Sequence, residues 1–175
     1  MNEQTQEKAA PVRADRQGNH PRMLILDDDP IVARMMRVHL LNAFPEAEVD
    51  ICLEAMVPPE YDIYFLDNDF NGRLMGLRLL RNIRQISPHA LVVALSNTLD
   101  METMEQLMNG GCNAVYNKRY PERSRDARDV IRNYLDIVKK LKSGRASGKI
   151  TDVARSLKQL VSEMNKRLDQ APASA

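Results

Sequence analysis

Residues 23–30 read MLILDDDP. An apolar run, three acids and a proline in that order describe a buried strand, its polar end, and a helix opened by proline at its first position. Ile31, Met35, Val38 and Leu41 then recur at helical spacing, with Asp29 placed to cap the helix. The same arrangement repeats along the chain. EVDIC (48–52) is a second strand, and YDIYFL (61–66) is a third that ends on Asp67. ALVVAL (90–95) is a fourth, followed by Ser96, and NAVYN (113–117) is a fifth, followed by Lys118. Helical segments are expected from Leu74 to Ile86, from Asp100 to the Gly110–Gly111 pair, and from Glu122 to Leu141.

Strands alternating with helices imply an α/β fold, doubly wound around a parallel sheet covered on both faces. Right-handed crossovers bring all the strand ends to one edge, where ligands of such sheets bind. Asp27, Asp28, Asp67, Ser96 and Lys118 therefore meet there. Clustered carboxylates repel one another and favour a hard divalent cation; Mg²⁺ is the natural one beside phosphate. A lysine and a hydroxyl opposite would neutralise and hydrogen-bond a transferred phosphoryl group. A carboxylate between them can serve as nucleophile.

Composition excludes several other functions. With 25 basic and 24 acidic residues, no global field points to nucleic acid. No apolar run reaches the roughly 18 residues of a membrane span, and the polar N-terminus has no secretory pattern. A cytoplasmic protein is expected. Cys52 and Cys112 form neither a disulfide framework nor a metal-site spacing.

LILDDDP, YFLDNDFNGRLMGLRLLRNIR, VVALSNT and YNK, in this order, resemble the signature segments of response-regulator receiver domains, over about residues 22–141. The resemblance implies a flavodoxin-like five-stranded sheet of order 2-1-3-4-5. It makes Asp67 the phosphoacceptor, Asp27 and Asp28 the acidic metal pair, and Asp69 the residue whose backbone carbonyl completes the metal shell. Ser96 becomes the switch hydroxyl and Lys118 the lysine that bridges to the acceptor. It also implies a stand-alone regulator, not a true enzyme, that is phosphorylated by a histidine kinase or histidine phosphotransfer protein and signals to a downstream protein.

Some features depart from the family pattern. LEAMVPPE (53–60) leaves room for only a shortened second helix, since Pro58 and Pro59 stop it, so the neighbouring sheet face needs another cover. Arg119 stands where proline is usual, and Asn97 where a small residue is favoured. The usual switch aromatic is replaced by Val115; Tyr116, one place on, points to the opposite face of a strand and is no obvious substitute. The loop DNDFNGRLMG has one extra residue before Gly76, and Asn71–Gly72 can make the turn it needs.

The expected organisation is a disordered tail at 1–21, a receiver domain at 22–142, a linker at 143–149, an amphipathic helix at 150–169 and a frayed tail at 170–175. The last helix, with Ile150, Val153, Leu157, Leu160, Met164 and Leu168 in one stripe, can fold back on its own domain, pair in a homodimer or dock another protein. The basic cluster Lys139, Lys140, Lys142, Arg145 and Lys149 suits a helix end better than a nucleic-acid site. Two other functions compete: a pseudo-receiver acting as a constitutive scaffold, and a haloacid-type phosphatase, which the serine and lysine spacing disfavours.

Overall fold

A computed structural model describes residues 20–96, 101–118 and 125–142. Its elements are β1 (Arg22–Leu26), α1 (Pro30–Ala43), β2 (Glu48–Cys52), β3 (Ile63–Asp67), β4 (Asp69–Phe70), β5 (Arg73–Leu74), α2 (Gly76–Ile86), β6 (Leu91–Ser96), α3 (Met101–Asn109), β7 (Ala114–Asn117) and α4 (Arg125–Lys142). Five strands form one parallel sheet in the order β2-β1-β3-β6-β7. With the small β4–β5 hairpin set aside, that is the expected 2-1-3-4-5 order. The tail at 1–19, residue Asn97, the Arg119 loop, the linker and the expected last helix lie outside the described residues.

The strands are apolar on both sides because helices cover both faces. Met23, Ile25, Ile63, Phe65, Val93 and Leu95 join Met36, Leu40, Ile131 and Tyr134 on the α1–α4 face. Leu24, Leu26, Tyr64, Leu66, Val92 and Ala94 join Leu79, Leu80, Ile83 and Leu107 on the α2–α3 face. Strand alternation thus sorts neighbouring residues into two cores. Tyr116 falls on the α1–α4 face, edge-on to Phe65 with ring centroids 6.5 Å apart, while Val115 packs on the other.

The structure corrects the sequence reading at three places. First, residues 53–62 form no helix at all, where a shortened one was expected. Pro58 and Pro59 remove two donors and leave too few residues for a second turn. The loop covers part of the sheet itself: Val57 and Tyr61, with Cys52 at the end of β2, pack against the α2–α3 core, and Tyr64 Oη donates to the Pro58 carbonyl at 2.9 Å. Tyr61 sits under the Arg22 guanidinium at 4.5 Å and donates to Asp50 Oδ2 at 3.0 Å. Leu24 and Leu26 are fully buried as a result.

Second, α2 begins at Gly76, not Leu74, because residues 69–74 form a hairpin. Asn71 and Gly72 have φ values of 52° and 74°, the paired left-handed conformation of a two-residue hairpin turn. Third, of the four apolar residues read at helical spacing in α1, Leu41 packs against the core beside buried Ala33, Met36 and Leu40, whereas Ile31, Met35 and Val38 face away from it. The N-terminus of α1 is as expected, with Asp29 Oδ1 accepting from the amides of Ile31 and Val32 at 2.8 and 3.2 Å.

Candidate functional site: an acidic cluster at the carboxyl edge of the sheet

Strand register sets the site. Leu26 of β1 is paired with Leu66 of β3, so Asp27 and Asp67 follow at the same level. Ser96 closes β6 in register with Asn117, and Lys118 follows directly. Each residue is carried to the edge by the apolar run before it.

The side chains converge. Lys118 Nζ lies 2.6 Å from Asp27 Oδ2 and 2.7 Å from Asp67 Oδ2, bridging the two acids. Asp27, Asp28 and Asp67 each offer a carboxylate oxygen within 4.8 Å of one another. Asp27 is fully buried, Asp28 and Asp67 half-buried, and Lys118 buried. Local backbone amides hold the acids in place: Asp29 N–H on Asp27 Oδ1 at 3.1 Å, and Asn68 N–H on Asp67 Oδ1 at 2.8 Å. Ser96 is placed at this edge by its backbone, and Asp69 lies two residues past Asp67 on β4, exposed.

Burial raises the Asp67 carboxyl above the ordinary aspartate value; Lys118 opposes that rise and Asp27 adds to it. Burial also works to lower the Lys118 ammonium, but Asp27 and Asp67 outweigh it and hold the lysine above its usual range. With three carboxylates facing one ammonium, the cluster keeps an excess of negative charge. That donor set is all hard oxygen, as Mg²⁺ requires, and contains no nitrogen or sulfur ligand that would favour zinc.

Structural comparison gives a consistent result. A response-regulator receiver domain protein from Clostridium thermocellum superposes with a TM-score of 0.57 at 21% identity, covering 69% of this chain and 98% of that one. A CheY-like receiver domain protein from Methanospirillum hungatei JF-1 gives 0.55 at 21% identity, with 69% and 98% covered. The signal receiver domain of a DNA-binding response regulator from Colwellia psychrerythraea 34H gives 0.51 at 19%, with 64% and 98% covered. This chain has the receiver-domain fold. No protein-family model matches the sequence, and none of the curated proteins does.

Within that receiver fold, the structure brings Asp27, Asp28, Asp67 and Lys118 together as the sequence reading expected. One contact was missed. The Asn71 amide, at the hairpin tip, donates to Asp28 Oδ2 at 2.8 Å. The Asn-Gly pair was legible as a turn, but nothing local in the sequence says which acid the turn would reach.

Proposed function

We propose that this receiver fold accepts a phosphoryl group on Asp67 and signals through protein contacts, as a member of a two-component or phosphorelay system. The observation that carries the proposal is Lys118 Nζ held between Asp27 and Asp67, beside the third carboxylate, Asp28. The donor is a phosphohistidine of a histidine kinase or phosphotransfer protein, acting in the bacterial cytoplasm. An oxygen of Asp67 attacks phosphorus in line; the P–O bond forms, the P–N bond breaks, and the donor imidazole keeps the electron pair.

Asp27, Asp28 and Asp67, with the Asp69 carbonyl, would hold Mg²⁺. The chemistry that Mg²⁺ supplies when bound is neutralisation of the charge gathered by three carboxylates and an incoming phosphoryl group. Lys118 pairs with one phosphoryl oxygen and Ser96 donates its hydroxyl to another. Asp67 must be ionised to attack, and Lys118 beside it favours that form against the cost of burial.

The second reading, a constitutive scaffold, is favoured by one observation: Tyr116 is buried on the α1–α4 face, edge-on to Phe65, while Val115 stands at the usual position of the switch aromatic. Incubation with acetyl phosphate and Mg²⁺ separates the two. Wild type should gain one phosphoryl group and Asp67→Asn none; labelling of Asp67→Asn would remove the acceptor assignment, and no labelling of either protein would favour the scaffold.

A further inference from the structure

Each of the three carboxylates in the cluster accepts a main-chain amide. Asp27 Oδ1 takes the Asp29 N–H at 3.1 Å and Asp67 Oδ1 the Asn68 N–H at 2.8 Å, so both are held by residues one or two places along the chain. Lys118 Nζ then pairs with the second oxygen of each. Asp28 is held differently. Its amide partner is Asn71, 43 positions away at the tip of the β4–β5 hairpin, and the Lys118 bridge passes it by. We infer that Asn71 is a positioning residue for Asp28, and that the hairpin tip and a cation in the cluster stabilise each other, a coupling that rests on the proposed Mg²⁺ site.

The hairpin has a fixed base and an exposed tip. At the base, Phe70 is buried in the α2–α3 core, and the Asn68 carbonyl accepts from the amides of Met75 and Gly76 at 2.9 and 3.3 Å. At the tip, Asn71, Gly72, Arg73 and Leu74 are all exposed. The left-handed φ values of Asn71 and Gly72, 52° and 74°, form the turn that presents the Asn71 N–H to Asp28. A hydrogen bond from an amide to an ionised carboxylate is stronger than one between neutral groups. Here it fixes the rotation of a half-buried side chain that two neighbouring carboxylates repel.

The coupling has a definite sign. Without a cation, Asp27 and Asp67 repel Asp28 and weaken its hold on the amide. A cation shared by the three acids removes that repulsion, keeps Asp28 in the cluster and so keeps its Oδ2 opposite the Asn71 N–H. By linkage, opening the tip lowers cation affinity by the same factor by which the cation favours closure. Loss of a hydrogen-bond partner that orients a metal ligand typically weakens metal binding by about 10–100-fold. Asp27 and Asp67 depend on amides of their own loops, so a change at the hairpin tip acts on the cluster through Asp28.

Amide NMR on the full chain with Mg²⁺ alone, and no phosphodonor, tests it. In the wild type, saturating Mg²⁺ should slow solvent exchange of the Asn71 amide by about tenfold, while the amide of Ile131, buried in α4, stays unchanged. Asn71→Gly keeps both the N–H and the turn and should bind Mg²⁺ like the wild type. Asn71→Val keeps the N–H but resists the left-handed conformation, and should bind Mg²⁺ about 10–100-fold more weakly. Equal Mg²⁺ affinity of Asn71→Val and wild type, or an Asn71 exchange rate indifferent to Mg²⁺, would overturn the inference and leave the Mg²⁺ site standing. A loss in Asn71→Gly as large as in Asn71→Val would assign the effect to the side chain and overturn it too. A wild type that binds no Mg²⁺ would remove the cation site and the coupling together. Should Asn71→Val not fold, the wild-type exchange rate decides alone.

Discussion

The backbone N–H of Asn71 donates to Asp28 Oδ2 at 2.8 Å, joining residues 43 positions apart. It ties the tip of the β4–β5 hairpin to an acid of the cluster, so the turn geometry and the position of that carboxylate depend on each other. Gly72, with φ of 74° and open space around its Cα, meets the conformational demand at the turn. Replacing it by valine should cost about 1–2 kcal/mol, the penalty of a left-handed conformation. Urea unfolding measures the loss, and the Asn71 amide should exchange faster with solvent. An unchanged exchange rate would separate the turn from the acid.

Lys118→Met leaves buried Asp27 and half-buried Asp67 without their cation. Removing one partner of a buried pair typically costs about 3–5 kcal/mol. Mg²⁺ binding to the folded state should recover part of that loss, since a ligand of the native state stabilises it by mass action. The check is a denaturation midpoint with and without Mg²⁺; a variant as stable as wild type in both conditions contradicts the bridge.

Gly76 is confined by the loop that carries the acceptor. A Cβ there would lie 3.1 Å from Asn68 Cα and would also collide with Asn68 Oδ1. The side chain can turn away, but the backbone can only shift, and Asn68 is the residue whose amide holds Asp67. Gly76→Ala should therefore destabilise by about 1–3 kcal/mol, the usual range for overpacking. A displaced Asn68 amide resonance in the folded variant would trace the effect to the acceptor loop.

Arg84 ties α2 to the loops that precede β6 and β7. Its guanidinium donates to the carbonyls of Gly111 and Ala90, the latter at 2.6 Å, and to Asn113 Oδ1 at 2.9 Å. A lysine cannot reproduce that planar fork. Arg84→Lys should lose about 3 kcal/mol, because buried carbonyls are left without donors. Thermal unfolding would show it; a shift as small as that of an exposed arginine variant such as Arg81→Lys would argue against it.

Alkaline pH should weaken the fold. Burial, and then the Asp50 carboxylate, push the Tyr61 hydroxyl from 10.0 up to about 12, and Lys118 is also held above its ordinary value. Both groups keep their protons in the folded state after the unfolded chain has released them. Their contribution is thus complete below pH 10 and is lost as pH rises through about 12. Urea midpoints should fall across that window, and Tyr61→Phe should flatten part of the slope. A midpoint that stays level from pH 10 to 12 would refute the shift.

Much of this architecture follows from local chemistry. Apolar runs that end in Asp27, Asp67, Ser96 and Lys118 are strands because each is short and bounded by polar residues, and their alternation with helices forces the strand ends to one edge. The acidic cluster was therefore readable before any coordinates. Tertiary structure decided what periodicity leaves open. Helix α1 carries two apolar stripes at helical spacing, and the sheet buries the one with Ala33, whose small side chain allows close approach, leaving Ile31, Met35 and Val38 outside. The loop at 53–62 replaces a helix with aromatic packing from Tyr61 and Tyr64, residues far enough along the chain that only the folded sheet brings them over Leu24 and Leu26. The bridge from Lys118 to Asp27 and the link from Asn71 to Asp28 join residues distant in sequence. Their lengths are fixed by strand register and turn geometry together, and these exist only in the assembled fold.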